Sequence, residues 1–238
     1  MRLGVIGGLG PIATAYFMEL IINMTDAHCD QEHLDMIIYN YPSIPDRTNY
    51  ILGESIDNPV VPMIKIGKQL ELQEVDNIAI PCITAHYFYE PLSENIKVPI
   101  VNILKETALY LKGKGVRKAG IAATDGTISS NLFQKELKAL GISYVLPSHK
   151  KQGYLMDLIY KDIKAGLPPE LDKFQSVSKE LWENGAEIIV LACTELSLIK
   201  RDYKIGAGYI DAMEVLARAS IISCQGLLKK EYDDLITK

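Results

Sequence analysis

Cys82 and Cys193 are the residues of this chain whose type and setting point most directly to chemistry. Each closes an apolar run, Asn-Ile-Ala-Ile-Pro before Cys82 and Glu-Ile-Ile-Val-Leu-Ala before Cys193, and each leads into a Thr-containing turn toward a helix. A cysteine at such a corner sits beside the free N–H groups of a helix N-terminus, which favour negative charge. A free thiol ionises near pH 8.5, and these positions can lower that by one to several units. An unpaired cysteine is more often a small buried hydrophobe, but two at equivalent corners reverse that balance. Two facing thiols suit the removal of a proton from one side of a carbon and its return to the other. One thiolate and one thiol can exchange roles as the substrate changes hand, because both protonation states are accessible near neutral pH.

The elements that must hold these thiols can be read from the pattern of short apolar runs and longer amphipathic stretches. Strands are expected at residues 3–6, 36–39, 78–80, 98–101, 118–123, 143–146 and 187–191. Helices are expected at 11–27, 57–74, 85–95 (disturbed at Pro91), 103–112, 130–140, 152–165, 170–184 and 211–229. Pro11 and Pro62 fall in first helical turns, where a missing N–H costs nothing. Alternating strands and helices imply parallel sheets with sites at the carboxyl ends of strands. The pattern restarts after residue 117. Leu-Gly-Val-Ile-Gly-Gly-Leu-Gly-Pro and Lys-Ala-Gly-Ile-Ala-Ala-Thr-Asp-Gly-Thr are both strands running into turns, and Gly7 is about as far from Cys82 as Ala122 is from Cys193. The expected fold is α/β, with two similar pseudo-symmetric lobes, mostly parallel sheets and an active site in the cleft between them. One lobe takes residues 1–100, with 208–238 packing back on it; the other takes 101–207.

Composition narrows the class. The chain has 238 residues, 23% charged and 48% hydrophobic, with a formal net charge of −5. Those fractions describe a globular chain rather than a disordered one. No apolar run reaches the roughly 18 residues that span a bilayer, so no membrane partner is expected. The mild acidity without a basic block argues against nucleic acid. The first residues read as a strand rather than a signal peptide, so a cytoplasmic location with reduced thiols is the expectation. Four cysteines in a chain of this length are no disulfide scaffold. Cys29 and Cys224 lie near helical stretches without a polar motif and read as packing residues. His28, His33 and His149 have no ligand-like spacing, no metal site is expected, and His86 reads as a satisfied core histidine.

Taken together, the motifs resemble the aspartate/glutamate racemase superfamily, specifically its aspartate racemase branch. The resemblance covers nearly the whole chain and rests on Gly7-Gly8-Leu9-Gly10-Pro11 with Ala13-Thr14, Pro45-Asp46-Arg47-Thr48 and Pro81-Cys82-Ile83-Thr84-Ala85-His86. It continues through Thr124-Asp125-Gly126-Thr127, the stretch around Lys164, and Ala192-Cys193-Thr194-Glu195-Leu196. What it implies is a cofactor-independent racemase interconverting L- and D-aspartate, with glutamate as a further substrate. Cys82 and Cys193 would be acid and base. Thr84 and nearby N–H groups would hold the α-carboxylate, and Arg47 and Lys164 the side-chain carboxylate. Thr124, Gly126 and Thr127 would form a second polar turn, with Thr194 beside the second cysteine and Glu195 orienting or tuning that thiol. A homodimer is implied, with the stretches 39–41 and 87–89 able to supply an interface.

The chain departs from the family at one place. The family usually has Asn after the first catalytic cysteine, and here it is Ile83. An apolar side chain cannot replace two donors and an acceptor, which leaves the α-carboxylate or amino contact, and with it substrate and activity, open. Glutamate racemases carry Asp-Ser-Gly in the first loop and His after the second Cys-Thr; Gly7–Pro11 and Glu195 place this chain on the aspartate side. Three alternatives stand beside this reading. One is a relative such as a maleate isomerase, hydantoin racemase or arylmalonate decarboxylase, of which the dicarboxylate enzyme suits Arg47 and Lys164 best. Another is a catalytically silent dicarboxylate-binding homologue. The last is a dinucleotide enzyme, on the strength of Gly8-Leu9-Gly10-Pro11-Ile12-Ala13, although the second strand ends in Tyr39-Asn40-Tyr41 without an acidic ribose ligand.

Overall fold

The computed structural model describes residues 1–238. Strand β1 (Arg2–Gly7) lies between β2 (Asp35–Asn40) and β3 (Asn77–Ala79), all parallel. Leu3, Val5 and Ile6 are all fully buried. Alternation is absent because a central parallel strand is covered on both faces. The second sheet has the order β5-β4-β6-β7, built from β4 (Lys118–Ala123), β5 (Ser143–Val145), β6 (Ile188–Ala192) and β7 (Tyr209–Asp211), again all parallel. A parallel bridge from Ile78 to Ile100 occupies in the first sheet the place that β7 holds in the second. The strand expected at 98–101 shrinks to this bridge. The Ile78 N–H donates to Pro99 O and the Val101 N–H to Ile78 O, while Pro99 itself has no N–H to extend the ladder.

The helices follow the strands. Before β4 they are α1 (Pro11–Met24), α2 (Arg47–Ile51), α3 (Val60–Leu72), α4 (Tyr89–Asn95) and α5 (Ile103–Gly113). After β4 they are α6 (Asp125–Ser130), α7 (Leu132–Ala139), α8 (His149–Met156), α9 (Leu171–Glu183), α10 (Thr194–Asp202) and α11 (Ala212–Ser223). The helix expected at 85–95 is a 3₁₀ turn, Thr84–Phe88, joined to α4, which places Pro91 in a first turn that needs no N–H from it. The helix expected at 152–165 starts earlier, as α8, and widens into a π segment, Asp157–Ile163. The stretch expected as a helix from 130 is divided at Asn131, whose φ of 57° is left-handed. The final helix ends at Ser223 rather than near 229, and Asp211 belongs to β7. No helix is long and apolar enough to cross a membrane.

The largest of three cores has 33 buried residues and draws on both sheets, with Leu3 and Val5 from β1 and Ile121 and Ala123 from β4. It is closed by α1, α5 and α11. Helix α11, which follows β7 of the second sheet, lies against α1, α5 and β3, and α5, which follows the Ile100 bridge of the first sheet, lies against α7. Asn102 and Asp211 cap these two helices in the same way, accepting N–H groups of their first turns. The carboxyl ends of β1, β3, β4 and β6 point at one seam between the lobes.

Candidate active site

Cys193 follows β6 directly and is the N-terminal cap residue of α10. Cys82 stands three residues past β3, in a tight turn in which its N–H donates to Ile80 O at 2.7 Å. The two corners are therefore equivalent in place and different in build: only Cys193 opens an α-helix. Both thiols are buried, and both line one small, narrow cavity with Leu9, Asp46, Arg47, Thr48, Ile83, Thr84, Thr124, Tyr160, Lys164, Thr194 and Glu195. Its volume is about 10 Å³, room for roughly one water molecule. Among the residues expected at the site, Gly126 and Thr127 stand just behind this wall.

The two thiols have opposite electrostatic neighbours. The Cys193 S–H donates to Glu195 Oε2 at 2.9 Å, and the Thr194 hydroxyl donates to the same oxygen at 3.3 Å. Burial, then the charge and hydrogen bond of Glu195, push the Cys193 thiol well up; Lys164 opposes them. The helix terminus was expected to lower this thiol, and it does not prevail, because desolvation and an adjacent carboxylate both disfavour a second negative charge. Cys82 faces Arg47 instead. Burial pulls the Arg47 guanidinium down, but Cys82, Asp46 and Glu195 together raise it above its ordinary value.

Arg47 is held in a way its sequence position does not reveal. Nη1 donates to Ile44 O (3.3 Å) and Pro45 O (3.0 Å), and Nη2 donates to Leu9 O (2.9 Å). Only Nε is buried without a partner. The fork expected to clasp a substrate carboxylate is thus engaged by the backbone of its own loop and of the glycine turn. Lys164 lies at the end of the π segment, 3.5 Å from Asp46 Oδ2 and 3.9 Å above the centre of the Tyr160 ring.

Hydroxyl groups join the lobes below the thiols. Thr84 Oγ1 is 2.9 Å from Thr124 Oγ1 and 3.0 Å from Thr127 Oγ1. Gly126 sits at a tight contact: a Cβ there would stand 3.0 Å from Thr48 Cα and 3.1 Å from Thr84 Cγ2, so these neighbours would have to give. Ile83 is buried in the cavity wall. His86 places Nδ1 3.0 Å from Cys82 O and Nε2 3.3 Å from Val101 O; burial lowers its pKa, leaving a core histidine that braces the Cys82 turn. The glycine turn does not cradle a phosphate. The Gly8 N–H donates to Thr14 Oγ1, a Cβ on Gly8 would lie 2.4 Å from the Tyr41 backbone, and the Glu195 carboxylate stands beside Gly10.

Four cavity residues had no role assigned from sequence: Leu9, Asp46, Thr48 and Tyr160. Tyr160 carried a usable signal, since it precedes Lys164 by one helical turn and shares its face. Asp46 carried another, as an N-cap residue two positions before Thr48; its carboxylate accepts the Asn49 N–H at 3.0 Å.

Residues 6–220 match the Asp/Glu/Hydantoin racemase family. The chain belongs to this family. The aspartate racemase of Picrophilus torridus is 32% identical, over 98% of each chain, with a TM-score of 0.85. The broad specificity amino-acid racemase RacX of Bacillus subtilis is 28% identical over 228 residues, 92% of this chain and 96% of that one. Glutamate racemase of Francisella tularensis, solved with D-glutamate, shares the fold at 17% identity, with a TM-score of 0.64 over 97% of this chain and 84% of that one. The α/β architecture with two parallel sheets is that of these family structures, and the relatives named are isomerases acting on amino acids.

Proposed function

We propose that this chain racemises acidic amino acids, aspartate first, with Cys82 and Cys193 as the two proton-transfer groups. The observation that carries the reading is that the two thiols line one cavity from opposite lobes with opposite charges beside them. In one direction the Cys82 thiolate takes the α-proton: the Cα–H bond breaks, an S–H bond forms, and the electron pair passes into the α-carboxylate as an enediolate. Cys193 then gives its S–H proton to the opposite face of the carbon. The reverse direction exchanges the roles. Arg47 is the counter-ion when Cys82 carries the charge. Glu195 holds the Cys193 proton on sulfur until the carbanion forms, and so serves as a positioning residue. Thr84, backed by Thr124 and Thr127, offers hydroxyl and N–H groups to the α-carboxylate, and Lys164 offers an ammonium to the distal one. The groups at the α-carboxylate stabilise negative charge that grows in the transition state, whereas Lys164 anchors a charge that is constant through the reaction. All of these groups belong to the protein.

A broader amino-acid range is the second reading, favoured by Ile83, which presents an apolar surface to the cavity. A chiral assay over aspartate, glutamate and neutral amino acids separates the two. Faster turnover of aspartate supports the first reading; equal or faster turnover of neutral amino acids contradicts it. Ile83→Asn adds polar groups to the wall where the α-carboxylate or amino contact is open, and is expected to raise kcat/KM for aspartate about tenfold, the worth of one good hydrogen bond.

A further inference from the structure

Two cavities meet at one wall. Outside the small thiol-lined cavity lies an open vestibule of about 820 Å³, lined by residues that include Ile12, Leu167 and Tyr203. This is an ordinary size for a small-molecule pocket. Leu9, Asp46, Arg47, Lys164 and Glu195 border both spaces, so they form the partition. The inner space is too small for any amino acid, and the partition must part before a substrate reaches the thiols.

The polar closure of that partition runs from lobe to lobe. Asp46, at the start of α2, accepts the Tyr160 O–H, 3.2 Å from each carboxylate oxygen, and pairs with Lys164 at 3.5 Å. Both side chains of the ion pair remain about a quarter exposed, at 25% for Lys164 and 26% for Asp46, within reach of a solute in the vestibule. With the Arg47 Nη groups held by backbone carbonyls, Lys164 is the partition's cation that an incoming acid can recruit. Its present partner is a carboxylate belonging to the protein.

We propose that Asp46 is an internal competitor for the distal carboxylate of the substrate at Lys164, and that exchange of one carboxylate for the other opens the partition between vestibule and catalytic cavity. This inference rests on the acidic-substrate reading above. Two carboxylates drawn to one ammonium repel each other. As the ligand's carboxylate takes Lys164, Asp46 is released together with its tie to Tyr160, and the link between α2 and the π segment is lost. The site thereby opens to a dicarboxylate and stays closed to a solute that cannot displace Asp46.

Asp46→Asn tests this with little disturbance, because Asn caps a helix as well as Asp and still accepts from the Tyr160 hydroxyl. The probe is succinate, bound to the full chain and measured by calorimetry, so that no turnover enters. Removing the competing charge is expected to tighten succinate binding about two- to fivefold, the range of a partly exposed ion pair, and to lower KM for aspartate in the same sense. Tyr160→Phe, which loosens Asp46 without changing charge, should shift affinity in the same direction by less. A purely structural Asp46 would leave succinate affinity unchanged or weaken it, and that result in both variants overturns the proposal, as does a wild type that does not bind succinate. Tighter succinate binding in Asp46→Asn by a chain that exchanges no α-proton would sink the racemase reading and leave this inference standing. Racemisation of aspartate with unchanged succinate affinity in both variants would do the reverse.

Discussion

At the scale of single residues, the site is asymmetric where the sequence looks symmetric. Cys82 and Cys193 end similar apolar runs, yet one thiol faces a guanidinium and the other donates a hydrogen bond to a carboxylate. The thiols were legible because a polarisable nucleophile at the end of an apolar run is conspicuous. Their partners were legible only as residue types. Arg47 looks like a free fork in a proline-rich loop, and three carbonyl contacts, one of them to a residue 38 positions away, show otherwise. The sign of the Cys193 shift was not legible either. It depends on burial and on the rotamer of Glu195, and neither is written in a two-residue spacing. Since burial and then Glu195 raise this thiol, Glu195→Gln removes one of the raising influences and leaves burial in place. The alkaline limb of kcat/KM against pH that reports Cys193 is therefore expected to move to lower pH in the variant. A limb that stays in place would show that Glu195 does not govern the proton on this sulfur.

At the scale of elements, most strands were legible and the short connecting helices were not. Continuous apolar runs such as 118–123 and 187–191 can be little else than buried parallel strands. Helices α2 and α6, of five and six residues, are too short to show a period. A helix was expected to open at Cys193, but the extent of α10 was not legible, because all of its residues from Thr194 to Ile199 are buried, polar ones included. Its polar side chains are satisfied from β7 and α11. The Ser197 hydroxyl donates to Asp211 Oδ1 at 2.7 Å, and Lys200 pairs with Glu214. Asp211 Oδ2 is buried with no partner.

These ties, which anchor the helix carrying Glu195, make stability depend on pH. Burial first and the Asp211 charge second push the Glu214 carboxyl from 4.5 up to about 7, against the pull of Lys200. Between those values the folded chain holds a proton that the unfolded chain has released. Its contribution to stability is therefore present at low pH and is lost as pH rises toward 7. Glu214→Gln keeps an acceptor for Lys200 and cannot titrate. Thermal unfolding at pH 5 and pH 8 should show the wild type losing more Tm over this interval than the variant, at about 2–4 °C per kcal/mol for a chain of this size. Equal losses would contradict a proton held at Glu214.

At the scale of the whole molecule, the repeat seen in the sequence is a repeat of sheets. The order β2-β1-β3 with the Ile100 bridge mirrors β5-β4-β6-β7. What the repeat did not disclose is how far the halves depend on each other. The largest core draws on both, α11 lies against α1 and α5, and Gly126 lets α6 pack tightly on α2, where a Cβ would push its neighbours by a few tenths of an ångström. Such contacts join residues far apart in the chain and leave no local pattern. They are also what sets two thiols from two half-chains against one small space, and this joint placement is the central claim. Incorporation of solvent deuterium at Cα, followed by proton NMR with L- and D-aspartate and paired with chiral analysis, tests it most directly. The two-thiol mechanism predicts that the wild type labels both enantiomers without added cofactor and that Cys82→Ala and Cys193→Ala each abolish racemisation. Racemisation persisting at the wild-type rate in either single variant would contradict it.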